Sequence, residues 1–349
     1  MRTARKTLLM VVVGIVVVAS SARVHSSQST STTEPYPYQI GHTRDLLFVA
    51  WSQDSTRLIS YSWADAAVLV WNVKDGRLIT SFNKDFVGHP GDITWGAGMS
   101  LTTLNNNAME VRDNLTNALL WRIVRQGPST STSPDGALIA EGGRYGDACI
   151  TIRDARSGAF IRRLEGHPGI VRGLAFSPDG RFVASANGDR TVVIRDSHSG
   201  KVVTVLPGNE KPIDSVAFNR DGQKIAVGGD DGTLRIWRTE TSSIIWSSKV
   251  DRAPVNSVTF SRDGETLASG GGDRVIRIWN ATDGHLLSEC TTVGEYSDEH
   301  TTECCGSSVN ALAFSPSGMD IAAGLGDGSI EIWNVSTGKL AFNKQSDKE

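Results

Sequence analysis

Residues 166–196 read GHPGIVRGLAFSPDGRFVASANGDRTVVIRD. Val171 to Phe176 is a short, largely apolar run bounded by turn signals, the pattern of a buried strand. Ser177-Pro178-Asp179-Gly180 is a turn, with Pro presetting φ and Gly admitting positive φ. Phe182 to Ala186 is a second strand, Gly188-Asp189 a tight turn and Thr191 to Arg195 a third strand. Gly200 then opens a hairpin into a fourth strand, Lys201 to Leu206. Four short strands joined by tight turns make one antiparallel sheet.

The same unit recurs along the chain. A Trp or Arg followed by a polar residue stands at Trp71, Arg112, Arg153, Arg195, Trp237, Trp279 and Trp333, at intervals of 41, 41, 42, 42, 42 and 54 residues. Six residues before each mark lies Asp65, Asn106, Asp147, Asp189, Asp231, Asp273 or Asp327. Five residues after each lies Gly76, Asn117, Gly158, Gly200, Ser242, Gly284 or Gly338, a position that suits the left-handed residue of a hairpin turn. A period of about 40–45 residues in strand-like sequence denotes a repeat array. Seven units of four antiparallel strands predict an all-β, seven-bladed β-propeller spanning 36–349. Counting from Asp45, Lys339 to Asn343 supplies the outer strand of the last blade, and Tyr36 to Ile40 is its competitor. Units four to seven are the most regular. The second is degraded around Trp95-Gly96-Ala97-Gly98, and in the third Ser129 to Ser133 stands where the first strand belongs.

The unit resembles the WD-repeat family over residues 41–344. Gly41-His42, Gly88-His89 and Gly166-His167 supply the family's Gly-His pair, and the ruler marks supply its closing dipeptide, mostly as Trp-Asn or Arg-Asp. The resemblance implies a shared hydrogen-bond device. The turn Asp bonds backbone amides and the His of its unit, and that His bonds a strand Ser beside the Trp. The first unit holds the set whole in His42, Ser60, Asp65 and Trp71. The fourth holds His167, Ser185 and Asp189, with Arg195 in place of Trp; Asp147, Asp231, Asp273 and Asp327 keep the turn position elsewhere. Ser, His and Asp also compose hydrolytic triads, which are recognised by geometry. Here the set is repeated around a ring, as a structural device would be.

Candidate contact positions follow from offsets within the unit. Five residues before the Ser or Asn that opens the first turn lie Arg172, Asp214, Asn256 and Asn310, one polar residue on each of four consecutive inner strands. The resemblance places this offset at the channel mouth on the top face, where family members dock partners. The turns on that face add Trp63, Arg144, Tyr145 and Asp230, residue types that anchor interfaces. The opposite readings are a solvated channel lining and a Trp63 that packs on its own blade.

The last interval, between Trp279 and Trp333, carries an excess in residues 291–307, TTVGEYSDEHTTECCGS, which holds His300, Cys304 and Cys305, with Cys290 just before it. The spacing fits no standard zinc pattern. A disulfide from Cys290 to Cys304 or Cys305 is expected if the chain is exported. Cys149 falls in a strand as a small apolar residue. No cofactor or metal motif is present.

Arg2, Arg5 and Lys6 precede an apolar run from Leu8 to Ala19 and then Ser20, Ser21 and Ala22. This is the pattern of a secretory signal peptide cut after Ala22. The alternative is an N-terminal anchor formed by residues 8–19, although a span needs about 20 apolar residues. Residues 23–35 are Ser/Thr-rich and make a flexible linker. Losing residues 1–22 removes three positive charges and moves the formal net charge from −3 to −6, which disfavours nucleic acid and anionic membranes as partners. The chain is expected to be an exported, monomeric, non-enzymatic scaffold that binds a protein or peptide on its top face. The alternatives are a hydrolase or lyase in the central channel and a surface sensor of glycans or small molecules.

Overall fold

A computed structural model of the chain describes residues 42, 45–52, 54–62, 67–82, 95–96, 99–104, 108–113, 119–124, 129–143, 149–165, 169–207, 209–250, 253–293 and 308–344. Among them, 28 strands form seven four-stranded antiparallel sheets, each one contiguous stretch of sequence with its strands paired in chain order. The fourth sheet comprises Val171–Phe176, Phe182–Asn187, Val192–Asp196 and Val202–Leu206.

Burial explains why the sheets stand side by side. Second strands are covered on both faces: Val183 to Asn187 are all buried, so each needs a neighbouring sheet on either side. Ile194 and Leu206 of the fourth sheet pack with Ile213, Ile225 and Trp237 of the fifth. Ile278 of the sixth packs with Val309, Ile321 and Trp333 of the seventh. Outer strands face solvent, with Val202 and Val203 half exposed. The hairpins into these strands turn on left-handed residues, and Ser242, at φ 54°, takes the place that Gly200 fills at φ 76°.

Inner strands are also stapled sideways by serines. The Ser131 hydroxyl accepts the Phe176 N–H at 3.3 Å, Ser215 that of Val258 at 3.1 Å and Ser257 that of Leu312 at 3.1 Å. Each bond joins one sheet to the next.

The first and last sheets meet directly. Asp45 N–H donates to Gly326 C=O at 2.7 Å, and the Trp51 indole N–H donates to Ala313 C=O at 2.9 Å. A Cβ on Gly324 would lie 2.2 Å from Leu46 Cδ2, so only glycine lets the two sheets approach this closely. The seventh sheet takes its outer strand from Leu340–Lys344, which pairs Lys344 with Ile330 and Leu340 with Trp333. The competing segment 36–40 lies outside the described residues.

The irregular units still form sheets. The inner strand of the second is only Trp95–Gly96, and that of the third is Thr130–Thr132, so the Ser/Thr run does pair as a strand. Its hydroxyls also bond across to the fourth sheet: Ser129 Oγ donates to Val171 C=O at 2.9 Å.

Candidate functional site

The inner strands converge on a central channel. At their N-terminal ends they line an upper mouth of about 280 Å³, which includes Arg172, Asp214, Asn256 and Asn310 from four consecutive sheets. At their C-terminal ends a second, lower mouth opens beside Phe260 and Phe314. On the first sheet the equivalent of the polar upper position is Leu47, 36% exposed.

The polar residues at the upper mouth are engaged with one another. Arg172 Nη1 donates to Asp214 Oδ1 at 2.7 Å and to Asp230 Oδ2 at 3.2 Å, so one guanidinium on the fourth sheet holds two carboxylates of the fifth. Asn256 Nδ2 donates to Val309 C=O at 3.2 Å and to Asn310 Oδ1 at 3.5 Å, and Ser308 Oγ also donates to Asn310 Oδ1, at 2.9 Å. The mouth therefore has a charged half and an amide half, built from two linked pairs.

Burial first, with the neighbouring Asp230 adding to it, pushes the Asp214 carboxyl up to about 6 against the pull of Arg172. Burial works against the charge of Arg172, but the bonds and charges of Asp214 and Asp230 outweigh it and hold its pKa above the usual arginine range. Trp63, Arg144 and Tyr145 lie outside the described residues.

The repeated network takes a different form in nearly every unit. In the first, Ser60 Oγ lies 2.7 Å from His42 Nε2 and accepts the Trp71 indole N–H at 2.7 Å; Asp65 lies outside the described residues. In the third, buried Glu141 stands at the Ser position and faces Arg153 across 3.7 Å; Asp147 lies outside the described residues. In the fourth, Arg195 donates to Glu165 C=O, Asp189 accepts the Thr191 N–H at 2.9 Å, and His167 lies outside the described residues. Trp279 donates to Ser269 in the sixth at 2.9 Å. In the seventh, Trp333 donates to the buried carboxylate of Glu331 at 2.9 Å, which also accepts Val293 N–H at 2.8 Å.

The turn aspartates of the fifth and sixth units bond backbone amides and take an arginine as cationic partner. Asp231 accepts Thr233 N–H at 2.9 Å and Glu210 N–H at 3.1 Å, and its cationic partner is Arg235 at 3.0 Å. Asp273 likewise takes Val275 N–H at 3.1 Å and the guanidinium of Arg277. Neither unit has a Gly-His pair, and an arginine four residues on replaces its charge. The Asp-x-x-x-Arg spacing was the signal in the sequence. Asp327 accepts the Ser329 N–H at 2.9 Å and hydroxyl at 2.5 Å.

The expected disulfide would join Cys290 to a residue outside the described ones. Cys290 is a free thiol, 2% exposed, in the cluster between the sixth and seventh sheets. Its place in the outer strand turns the side chain inward, away from solvent, where burial and then the charge of Glu331 push its pKa up to about 11. Cys304 and Cys305 lie outside the described residues, and Cys149 is a buried free thiol.

Comparison with known proteins agrees with this geometry. The family described as "WD domain, G-beta repeat" matches residues 35–72, 158–196, 200–238, 245–280 and 297–334, together more than half of the chain. A curated protein, WD repeat-containing protein SL1-17 of Schistosoma mansoni, is 29% identical over 156 residues, 42% of this chain and 49% of that protein. The match thus spans about half the length of the relative. Proteins with these repeats generally act as interaction scaffolds, commonly bind protein partners and are typically not enzymes. Strand order, sheet packing and the recurring Asp, Ser and Trp contacts all agree with the matched repeats, and the chain belongs to the WD-repeat family of β-propellers.

Proposed function

We propose that this chain is an exported, non-enzymatic scaffold that receives a polar or charged segment of a protein partner at the upper mouth of its channel. One observation carries the reading: four consecutive sheets each contribute one polar side chain, Arg172, Asp214, Asn256 and Asn310, to a single cavity. The sheets are packed and stapled together, so the partner meets a surface with little ordering cost. Arg172 and Asp214 present both signs of charge at partial exposure, 35% and 21% of their side chains, as a salt-sensitive contact surface would.

A carboxyl raised to about 6 is also a property of acid–base catalysts. The serines lining the same cavity weigh against that use, because the hydroxyls of Ser131, Ser215 and Ser257 are spent on backbone amides of neighbouring sheets. The basic and then apolar start of the sequence supports export to the periplasm, the cell surface or the medium, with cleavage after Ala22. Affinity capture from the native envelope fraction, with and without Arg172→Ala, tests the binding site; N-terminal sequencing of the mature protein tests export. Unchanged capture by the variant would refute the proposed face.

A further inference from the structure

The repeats provide an internal standard, so side chains that break it and converge on one place mark a function that the fold does not demand. Next to the C-terminal end of the inner strands, matched registers place Ala50, Ala175, Ala217 and Ala313, but Ser131 on the third sheet and Thr259 on the sixth. The following position is Phe176, Phe218, Phe260 or Phe314, but Trp51 on the first sheet, Trp95 on the second and Thr132 on the third. The second turn residue is Pro134, Pro178 or Pro316, but Gln53 in the first unit and Arg220 and Arg262 in the fifth and sixth.

Three of these departures, Trp51, Thr259 and Arg262, line the lower mouth together with Phe260, Phe314 and Pro316. That cavity measures about 680 Å³, inside the range of about 300–1,000 Å³ that small-molecule sites occupy. Trp51 is fixed by its bond to Ala313 C=O, which leaves the ring to act as a wall. Among the described residues the Arg262 guanidinium and the Thr259 hydroxyl make no hydrogen bond or ion pair. Arg220 lies alongside but outside the lining, its Nη1 3.5 Å from Arg262 C=O, and its charge acts on the Asp263 carboxylate.

We propose that the lower mouth is a binding site for a small aromatic carboxylate, distinct from the partner-docking face. Aromatic walls favour a flat ring through offset or edge-on stacking in addition to area burial. A guanidinium presents the fork that a carboxylate matches, and the threonine supplies a neutral donor beside it. One lining arginine suits the single charge of a carboxylate better than the double charge of a phosphate monoester. Every side chain of the site stands on an inner strand or on the tight turn after it, so the cavity is preformed.

Calorimetric titration of the full chain with three probes tests this: indole-3-acetate, tryptamine (the same ring with the opposite charge) and acetate (the charge without the ring). The acid is expected to bind, with the other two weaker by about tenfold or more. Thr259→Ala and Arg262→Pro restore the chain's own repeat residues and should each weaken the acid by about tenfold while leaving Tm unchanged or higher. Arg262→Gln should do the same without a backbone constraint. Failure of the acid to bind at millimolar concentration, equal binding of all three probes, or binding indifferent to these variants would overturn the site. Tighter binding of phenyl phosphate would overturn the carboxylate assignment, and capture of acidic peptides in place of the free acid would reassign the cavity to protein docking.

Discussion

Arg172 Nη1 lies 2.7 Å from Asp214 Oδ1, an ion pair that crosses from the fourth sheet to the fifth at the rim of the channel. The same nitrogen holds Asp230 at 3.2 Å. A half-exposed pair of this kind contributes only about 0–1 kcal/mol to stability. Its removal should therefore be felt at a binding surface more than in the fold.

Substituting Arg172, Asp214 and Asn256 together with Ala should weaken partner capture by more than about tenfold, since truncating an interface anchor costs at least about 2 kcal/mol. Tm should move little. Asp135→Ala and Asp179→Ala at the opposite end should leave capture intact but lower Tm, because Ser133 and Ser177 bond these carboxylates at 2.6 and 2.5 Å in their turns. Loss of capture in the second pair alone would mean that the partner docks at the lower end.

Asp214 gives a pH signature. Its carboxyl is pushed up to about 6 by burial, above an unfolded value of about 3.9. Its contribution to stability is complete below the unfolded value and is lost as pH rises through about 6. The turn carboxylates act in the other direction. Asp54, held at about 2 by Ser52 and then Thr56, contributes stability above about pH 4 that disappears as pH falls through its folded value. Asp214→Asn should flatten the decline in Tm between about pH 4 and 7 and leave the acid limb unchanged. An identical profile in wild type and variant would contradict the assignment.

Ser60 is fully buried between His42 and Trp71. Ser60→Ala strands the Trp71 indole N–H and removes the His42 contact, at a cost of about 1–3 kcal/mol for a buried unsatisfied donor. Ser269→Ala, where Trp279 is the hydrogen-bond partner identified, should cost less. Urea denaturation of both variants compares them directly.

Asp231→Ala should destabilise by about 1–3 kcal/mol, because the Thr233 and Glu210 amides and Arg235 lose a charged acceptor. Partner capture should survive at temperatures where the variant is folded. A variant with normal Tm and no capture would place Asp231 in the binding site instead.

Cys290 should resist iodoacetamide in the native protein and react once urea unfolds it, since its thiol is buried and its pKa is about 11. Mass spectrometry of alkylated peptides measures this. A Cys290 peptide linked to Cys304 or Cys305 would contradict the free thiol.

The ruler of Trp, Arg, Asp and Gly made the sheets legible, because strand alternation and turn glycines are local properties of the chain. Arg172, Asp214, Asn256 and Asn310 were legible as a set because a repeat brings equal offsets to equal places. Their pairing was not. Whether Arg172 turns to Asp214 or to solvent depends on the separation of two sheets, which no offset encodes. The burial of Cys290 was not legible for the same reason: its neighbours in sequence are the inserted loop, whereas its neighbours in space are Ile276, Ile278 and Val309. The substitution of Arg235 and Arg277 for histidine was visible at a fixed spacing, but only the bond to Asp231 gives that spacing a meaning.

The seam between the first and last sheets has a consequence for how the chain can be cut. No sheet among the described residues borrows a strand from the far terminus, and the seam is made by Leu46, Trp51, Ala313 and Gly324 meeting face to face. The seam is therefore one of several equivalent junctions between sheets. Linking Lys344 to Asp45 and opening the chain at another junction between sheets, such as the one after Leu206, would leave every described sheet whole.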